Sequence, residues 1–185
     1  HGIADGLISF AVAAGTFTYE GFRVEIDGRR VGDWRSGFTY GPLRIEGDTW
    51  NLPVSDGDRG FVLRTRVWTE SGGLRLRFSL SGVEPDAHGR PRITHVSLGP
   101  VNRAVRRVYA GHGNVLEDPG PFRLAYNGFK LSTSFVGFDF DNGLSIVQAM
   151  NIPPDALEHD PENGIATLVG RHDVTWTLVP SADGA

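Results

Sequence analysis

The sequence predicts an all-β protein, an antiparallel sandwich of two sheets, and three observations carry that prediction. Apolar residues recur at every second position along almost every segment, which is the period of a strand with one dry and one wet face. The chain is punctuated by 25 glycines and 11 prolines, and the spacing of its turn signals predicts roughly ten to thirteen short strands packed face to face. Helical signals are confined to PPDALEHD, where a proline start and an acidic first turn predict about one turn of helix. A closed barrel satisfies the same pattern and stands as the alternative architecture.

Taken in chain order, FRVEIDGRRV alternates Phe22, Val24 and Ile26 up to Asp27-Gly28, a pair that accepts the positive φ angles of a tight hairpin turn. FVLRTRVWTE, SGG and LRLRFSL form the clearest hairpin: Leu74, Leu76, Phe78 and Leu80 share one face, with Arg75, Arg77 and Ser79 on the other. FKLSTSFVGFDF, DNG and LSIVQAM predict a third. Its apolar phase moves from Phe129, Leu131 and Phe135 to Phe138 and Phe140, which predicts a β-bulge at Gly137. The last strand, DVTWTLV, places Val174, Trp176 and Leu178 on one side, with Trp176 in the core. Residues 1–180 read as a single β-sandwich domain and the closing SADGA, 181–185, as a frayed tail.

Composition excludes several classes of function. The 185-residue chain is long enough to bury a core, and no apolar run approaches the roughly 18 residues that span a bilayer. A formal charge of −4 argues against a nucleic-acid surface, which relies on a concentrated positive field. Of the 18 basic residues, all but Lys130 are arginine. That bias fits codon usage first, although guanidinium forks also suit carboxylates and stack on rings. The absence of cysteine excludes disulfides, thiolate metal sites and cysteine nucleophiles. It does not fix the compartment; a secreted or periplasmic setting is the favoured expectation. The start HGIADG, with neither an initiator methionine nor a signal-like region, is expected of a mature fragment or an excised domain.

The most distinctive polar stretch is YAGHGNVLEDPGP, in which His112 sits between two glycines that let a ligand approach both its ring and the backbone. Asn114, Glu117 and Asp118 follow closely and could hydrogen-bond vicinal hydroxyls or supply an acid/base group; a tight corner between two strands explains the same residues. Asp139, Asp141 and Asn142 in GFDFDNG match part of an oxygen-rich calcium loop, but a hairpin built on Asn142-Gly143 needs fewer assumptions. No cofactor is expected, with calcium as the alternative. His159-Asp160 and His172-Asp173 are adjacent in sequence, so on a strand their side chains diverge. No metal site is expected, because neither His-x-His nor HExxH occurs, and there is no Walker, dinucleotide or nucleophile-elbow motif. Trp34 and Trp50 lie in polar, glycine-rich surroundings and, with Tyr109, are candidate sugar-contacting rings.

From about Pro91 to Pro180 the order RITHVSLGP, RVYAGHGNVLEDPGPFRL, LSTSFVGFDFDNGLSIVQAMNIPPDALEHDPENG and RHDVTWTLVPS resembles the galactose-mutarotase-like β-supersandwich domain of large bacterial carbohydrate-active proteins. The resemblance implies a two-sheet sandwich whose concave face receives a sugar, often beside a separate catalytic barrel. It also implies a histidine acid and a glutamate base, for which His112 and Glu117 are the nearest local candidates.

Three functions follow as expectations. The first is an accessory, carbohydrate-associated domain that binds glycan or packs against other domains of a larger parent. The second is an autonomous epimerase or glycosidase in which His112 works with Glu117, Asp118 or Asp139. The third is a structural protein-interaction domain.

Overall fold

The computed structural model describes residues 2–4, 7–12, 15–57, 59–82, 90–127, 131–171 and 174–182. Three strands, β1 (Gly2–Ala4), β2 (Leu7–Val12) and β3 (Gly15–Tyr19), form a meander, and β4 (Phe22–Ile26) with β5 (Arg29–Arg30) form the hairpin expected at Asp27-Gly28. Both turn residues have positive φ, 51° and 75°, as a two-residue hairpin turn requires. A short 3-10 turn, Trp34–Ser36, precedes β6 (Thr39–Tyr40) and β7 (Arg44–Glu46), which pair with successive halves of β8 (Thr49–Asp56). The long hairpin is β9 (Arg59–Glu70) and β10 (Gly73–Ser81). There follow β11 (Ile93–Leu98), β12 (Val105–Tyr109), β13 (Val115–Glu117), β14 (Phe122–Ala125), β15 (Phe135–Phe140), β16 (Ser145–Met150), β17 (Ala156–Asp160), β18 (Ile165–Val169) and β19 (Thr175–Ser181).

All pairings among the described residues are antiparallel. A ten-stranded sheet runs β13-β12-β15-β16-β19-β10-β9-β8-β6, with β7 also on β8. Facing it are three short sheets, β14-β17-β18, β11-β4-β5 and β1-β2-β3. Reciprocal bonds of 2.8 Å between Val96 and Gly170 join the first two of these. The sandwich is therefore one continuous sheet against a segmented one. The nineteen strands among the described residues exceed the expected number because several, such as β5 and β6, are two or three residues long and carry no readable alternation.

One core fills the space between the layers. The large sheet contributes Leu74, Leu76, Phe78, Phe138, Ile146, Trp176 and Leu178, and the facing layer Phe17, Ile26, Val96, Leu98, Leu157 and Leu168, all of them buried. Rings meet across the gap: Phe22 packs on Phe78 with centroids 4.8 Å apart, and Phe17 on Phe140 at 4.9 Å. Each such side chain contributes about 1.5–3 kcal/mol by leaving water. Trp176 is fully buried, as its alternation with Val174 and Leu178 predicts.

Two expectations need correction. PPDALEHD does not coil; its residues 156–160 are β17, paired on one side with β14 and on the other with β18. Two flanking ladders satisfy its backbone groups more completely than a single exposed turn of helix could. Nor does Gly137 lie in a bulge. The β15–β16 register runs without a break from Phe135↔Ala149 to Asp139↔Ser145, and Val136, Phe138 and Phe140 all face the core while Phe135 is exposed. The apparent phase switch arises because the strand begins at Phe135, so Leu131 belongs to the irregular segment before it. Phe129 lies outside the described residues. The irregularity is in the neighbouring strand, between Val105 and Arg107 of β12.

A buried amide ties the layers together. Gln148 of β16 donates from Nε2 to the Tyr19 hydroxyl (3.2 Å) and the Ala166 carbonyl (2.9 Å), and its Oε1 accepts the Leu168 amide (2.9 Å). Tyr19 in turn donates to the Ala166 carbonyl at 3.2 Å. Burial pushes the Tyr19 phenol well above its ordinary pKa, so it stays a neutral donor. At one end of the sandwich, Asp56 of β8 binds both Arg29 of β5 and Arg59 of β9. The Arg29 hydrogen bonds, with help from Arg59, pull the Asp56 carboxyl down to about 2.

Gln148→Leu should lower unfolding free energy by about 2–3 kcal/mol, because the Leu168 amide is left buried without an acceptor; urea denaturation reads this directly, and an unchanged midpoint would remove the amide from its bridging role. Asp56→Asn should cost about 1 kcal/mol at neutral pH. A lowered carboxyl pKa stabilises the fold above the ordinary carboxylate range and loses that effect as pH falls toward 2, so melts of the two proteins should converge in acid.

Candidate functional site

The stretch that stood out in sequence folds as a hairpin at one edge of the large sheet. Tyr109 closes β12, Val115 opens β13, and the turn between them is held by the Asn114 amide on the Gly111 carbonyl (2.9 Å) and the Ala110 amide on the Asn114 carbonyl (3.0 Å). Gly111, His112 and Gly113 all have positive φ, 88°, 50° and 72°. At Gly111 a Cβ would lie 2.9 Å from the Thr133 hydroxyl, so both conformation and space ask for glycine there. The glycines flanking His112 thus answer to the turn itself.

His112 is exposed at the tip of this turn and has no hydrogen-bond partner among the described residues. Glu117 is at the other end of β13, on the order of 10 Å along the strand, where it pairs with Arg107 at 3.2 Å. Glu117 is brought instead to a small basin of about 330 Å³ on the outer face of the sheet, lined by Arg106, Arg107, Asp118, Asp139 and Ser145. The irregularity in β12 is what brings two consecutive arginines to it: without a register shift, Arg106 and Arg107 would point to opposite faces.

Hydrogen bonds tie the floor of this basin together. The Asp139 carboxylate accepts the Tyr109 hydroxyl (2.8 Å) and the Ser145 hydroxyl (2.7 Å). Asp118 pairs with Arg106 at 3.0 Å. The Tyr109 hydroxyl and then the Glu117 carboxylate raise the Arg107 pKa above its ordinary value. Arginines beside carboxylates and hydroxyls can hydrogen-bond a polyhydroxylated ligand from several sides. Among the described residues, no three histidine or acidic side chains converge as a metal-binding set.

A second, more apolar cleft of about 600 Å³ lies between β13 and β14, where Asn114 and Glu117 meet Val115, Leu116, Pro119 and Phe122. Behind it His159 is buried, 3.1 Å through Nδ1 from the Gly120 carbonyl and tilted against the Phe122 ring at 5.5 Å. A carbonyl can only accept, so this contact puts the proton on Nδ1. His172 and Asp173 lie outside the described residues.

The two tryptophans are elsewhere. Trp34, in the 3-10 turn, is 84% exposed, whereas Trp50 is half-buried in β8 opposite Thr65 and Ile45. The structure therefore groups Glu117 and Asp118 in one basin wall, with Tyr109 bordering it through its hydrogen bond to Asp139, and Asn114 with Glu117 in the next cleft, and it separates His112, Trp34 and Trp50 from both. Arg106, Arg107 and Ser145 were not among the sequence candidates. Arg107 could have been found by reading VRRVY with period two, in step with the candidate Tyr109; Ser145 depends on pairing with Asp139 across a turn.

Asp139→Ala should cost about 1–2 kcal/mol, since two hydroxyls lose a half-buried acceptor, while His112→Ala should stay within about 0.5 kcal/mol of the parent. Parallel thermal melts separate the two, and a reversed order would make His112 the structural residue.

No protein-family model matches the chain, and neither does any curated protein. Its fold is similar to that of the alpha-N-acetylgalactosaminidase NagBb from Bifidobacterium bifidum. Against the GalNAc complex of that enzyme the TM-score is 0.57 at 13% identity, over 97% of this chain and 34% of the other. The Gal-NHAc-DNJ complex matches equally, with TM-score 0.57, 14% identity and the same 97% and 34% coverage. The ligand-free form follows at 0.56 and 13%, over 97% of this chain and 33% of the other. This chain thus spans about a third of the length of the enzyme it is similar to.

Proposed function

We propose that this chain is an accessory, carbohydrate-associated β-sandwich domain of a larger glycoside-hydrolase-like protein, of the galactose-mutarotase-like kind that its segment order resembles. The observation that carries the reading is the extent of the structural likeness. Nearly the whole chain superposes on a third of a glycosidase, which leaves room in that enzyme for a separate catalytic unit. The site geometry supports an accessory role in a second way. Of the histidine and the glutamate best placed in sequence to act as acid and base, His112 is in the turn before β13 and Glu117 at the strand's far end, already paired with Arg107. Catalysis by that pair would require the edge hairpin to be rebuilt.

Packing against a neighbouring domain is favoured by a distinct observation. Leu43 and Ile45 are 53% and 62% exposed on the β6–β7 edge, close in sequence to Tyr40 and Trp34. Exposed apolar groups concentrated on one edge mark a contact surface more often than scattered ones do. The Tyr40 hydroxyl accepts the Gly32 amide at 2.8 Å, which holds the Trp34 loop beside that edge.

This chain should retain glycans on affinity gels yet show no turnover of aryl glycosides, alpha-N-acetylgalactosaminides included. Saturable hydrolysis abolished by His112→Ala would overturn the accessory assignment in favour of an autonomous enzyme. In the parent protein, Ile45→Glu should speed limited proteolysis between this domain and its neighbour without shifting the domain's own melting by more than about 0.5 kcal/mol.

A further inference from the structure

The register of the long hairpin sets like charges side by side on the outer face of the large sheet. Arg66 is directly opposite Arg77, Arg64 opposite Ser79, and Trp68 opposite Arg75. Directly opposed side chains in an antiparallel pair are roughly 4.5–5.5 Å apart at Cβ, and like charges there are destabilising. The core does not require them, because the core residues of these strands are the alternate ones, Leu63, Leu74, Leu76 and Phe78.

Counter-charge at this face is incomplete. Arg66 Nε donates to Asp48 at 2.7 Å and Arg75 Nε lies 2.9 Å from Glu70, while Arg64 Nε reaches only the neutral Asn51 side-chain oxygen, at 3.2 Å. Arg64 and Arg66 are hydrogen-bonded through Nε and Arg75 is ion-paired on that side without a hydrogen bond, and none of the three donates from a terminal amino group to a described residue. Arg77 has neither an ion pair nor a hydrogen bond among the described residues. A chain of net charge −4 thus concentrates four arginines on the outer face of two strands, with Asp48 and Glu70 as their paired acids.

Beside these arginines is a basin of about 630 Å³, within the range of small-ligand sites. Arg64, Arg66 and Arg77 line it together with the hydroxyls and amide of Thr49, Asn51 and Ser79. The indole of Trp68 lies next along the strand, with the Arg66 guanidinium 4.8 Å from its centroid. Planar guanidinium forks match carboxylate and sulfate oxygens in pairs, and hydroxyl and amide groups match ring hydroxyls. A free inorganic anion would fill a small part of this volume. An extended polyanion would meet Glu46 and Asp48, which also line the basin, and the net negative charge of the chain.

We infer that this basin binds an acidic saccharide, with Arg66 and Arg77 holding its carboxylate or sulfate group and Asn51, Thr49 and Ser79 its hydroxyls. The saccharide half rests on the carbohydrate reading above; the anionic half rests on the arginines alone.

The test is calorimetric titration of this chain with oligogalacturonate, a chondroitin sulfate oligosaccharide, a neutral galacto-oligosaccharide of equal length, inorganic sulfate and polyglutamate. At least one acidic oligosaccharide should bind tenfold or more tightly than the neutral one, more weakly as salt is raised. The ratio of the first two affinities distinguishes a carboxylate from a sulfate ligand. Arg77→Gln, at an exposed position without a partner among the described residues, should weaken that binding at least tenfold, Arg77→Lys should restore it in part, and His112→Ala should leave it unchanged. Binding of the neutral oligosaccharide alone would overturn the arginine assignment and leave the carbohydrate reading standing. Sulfate or polyglutamate binding as tightly as the sugar acids would overturn the saccharide half. Full affinity in Arg77→Gln, or no heat with any ligand, would overturn the inference.

Discussion

A slip of β10 by one residue against β9 would carry Leu74, Leu76 and Phe78 into water and drive Arg75 and Arg77 into the core. Nine consecutive cross-strand pairs, from Gly73↔Glu70 to Ser81↔Val62, hold the hairpin against that slip. Because the side-chain period of a strand is two, no intermediate register is available. The same constraint passes outward on both sides, since β8 is aligned on β9 from Thr49↔Arg66 to Asp56↔Arg59 and β19 on β10 from Leu74↔Leu178 to Arg77↔Thr175. The dry face and the arginine-rich wet face are therefore two consequences of one alignment.

The second layer is less continuous and is held by point contacts. Gln148 meets Tyr19, Ala166 and Leu168 inside the core, where an amide with all its partners fixes position as well as adding stability. Asp56 binds arginines from β5 and β9 at one end. Ring contacts such as Phe22 on Phe78 fill the space between. With the layers clamped from inside, the outer face of the large sheet has few structural duties. Its polar basins, one at the β12–β13 edge and one on β8–β10, carry charge in a pattern that packing does not explain.

The candidate site was only partly legible in sequence. Glycines around His112 drew attention to the GHGN corner, yet the structure spends them on a turn of positive φ and close approach to Thr133. Tyr109, Glu117 and Asp118 do line or border a basin, but through partners that sequence spacing does not reveal. Arg106 joins Arg107 there because of a register shift in β12, and Ser145 reaches Asp139 across a hairpin. The phase change in FKLSTSFVGFDF pointed to an irregularity in the wrong strand, since a strand's true start is set by where pairing begins. PPDALEHD carried helix-start chemistry, and two neighbouring strands overrode it.

The all-β class, the three hairpins, the burial of Trp176 and the division of residues 61–80 between two faces can all be read from the amino-acid order alone. Alternation and turn chemistry are local properties, readable over a few residues. Tertiary structure alone decided the order of strands in the large sheet, the segmentation of the facing layer, the distance between His112 and Glu117, and the gathering of Arg64, Arg66 and Arg77 around one basin. Those depend on pairing between segments far apart in the chain, where burial and backbone hydrogen bonding, rather than local preference, select the partner.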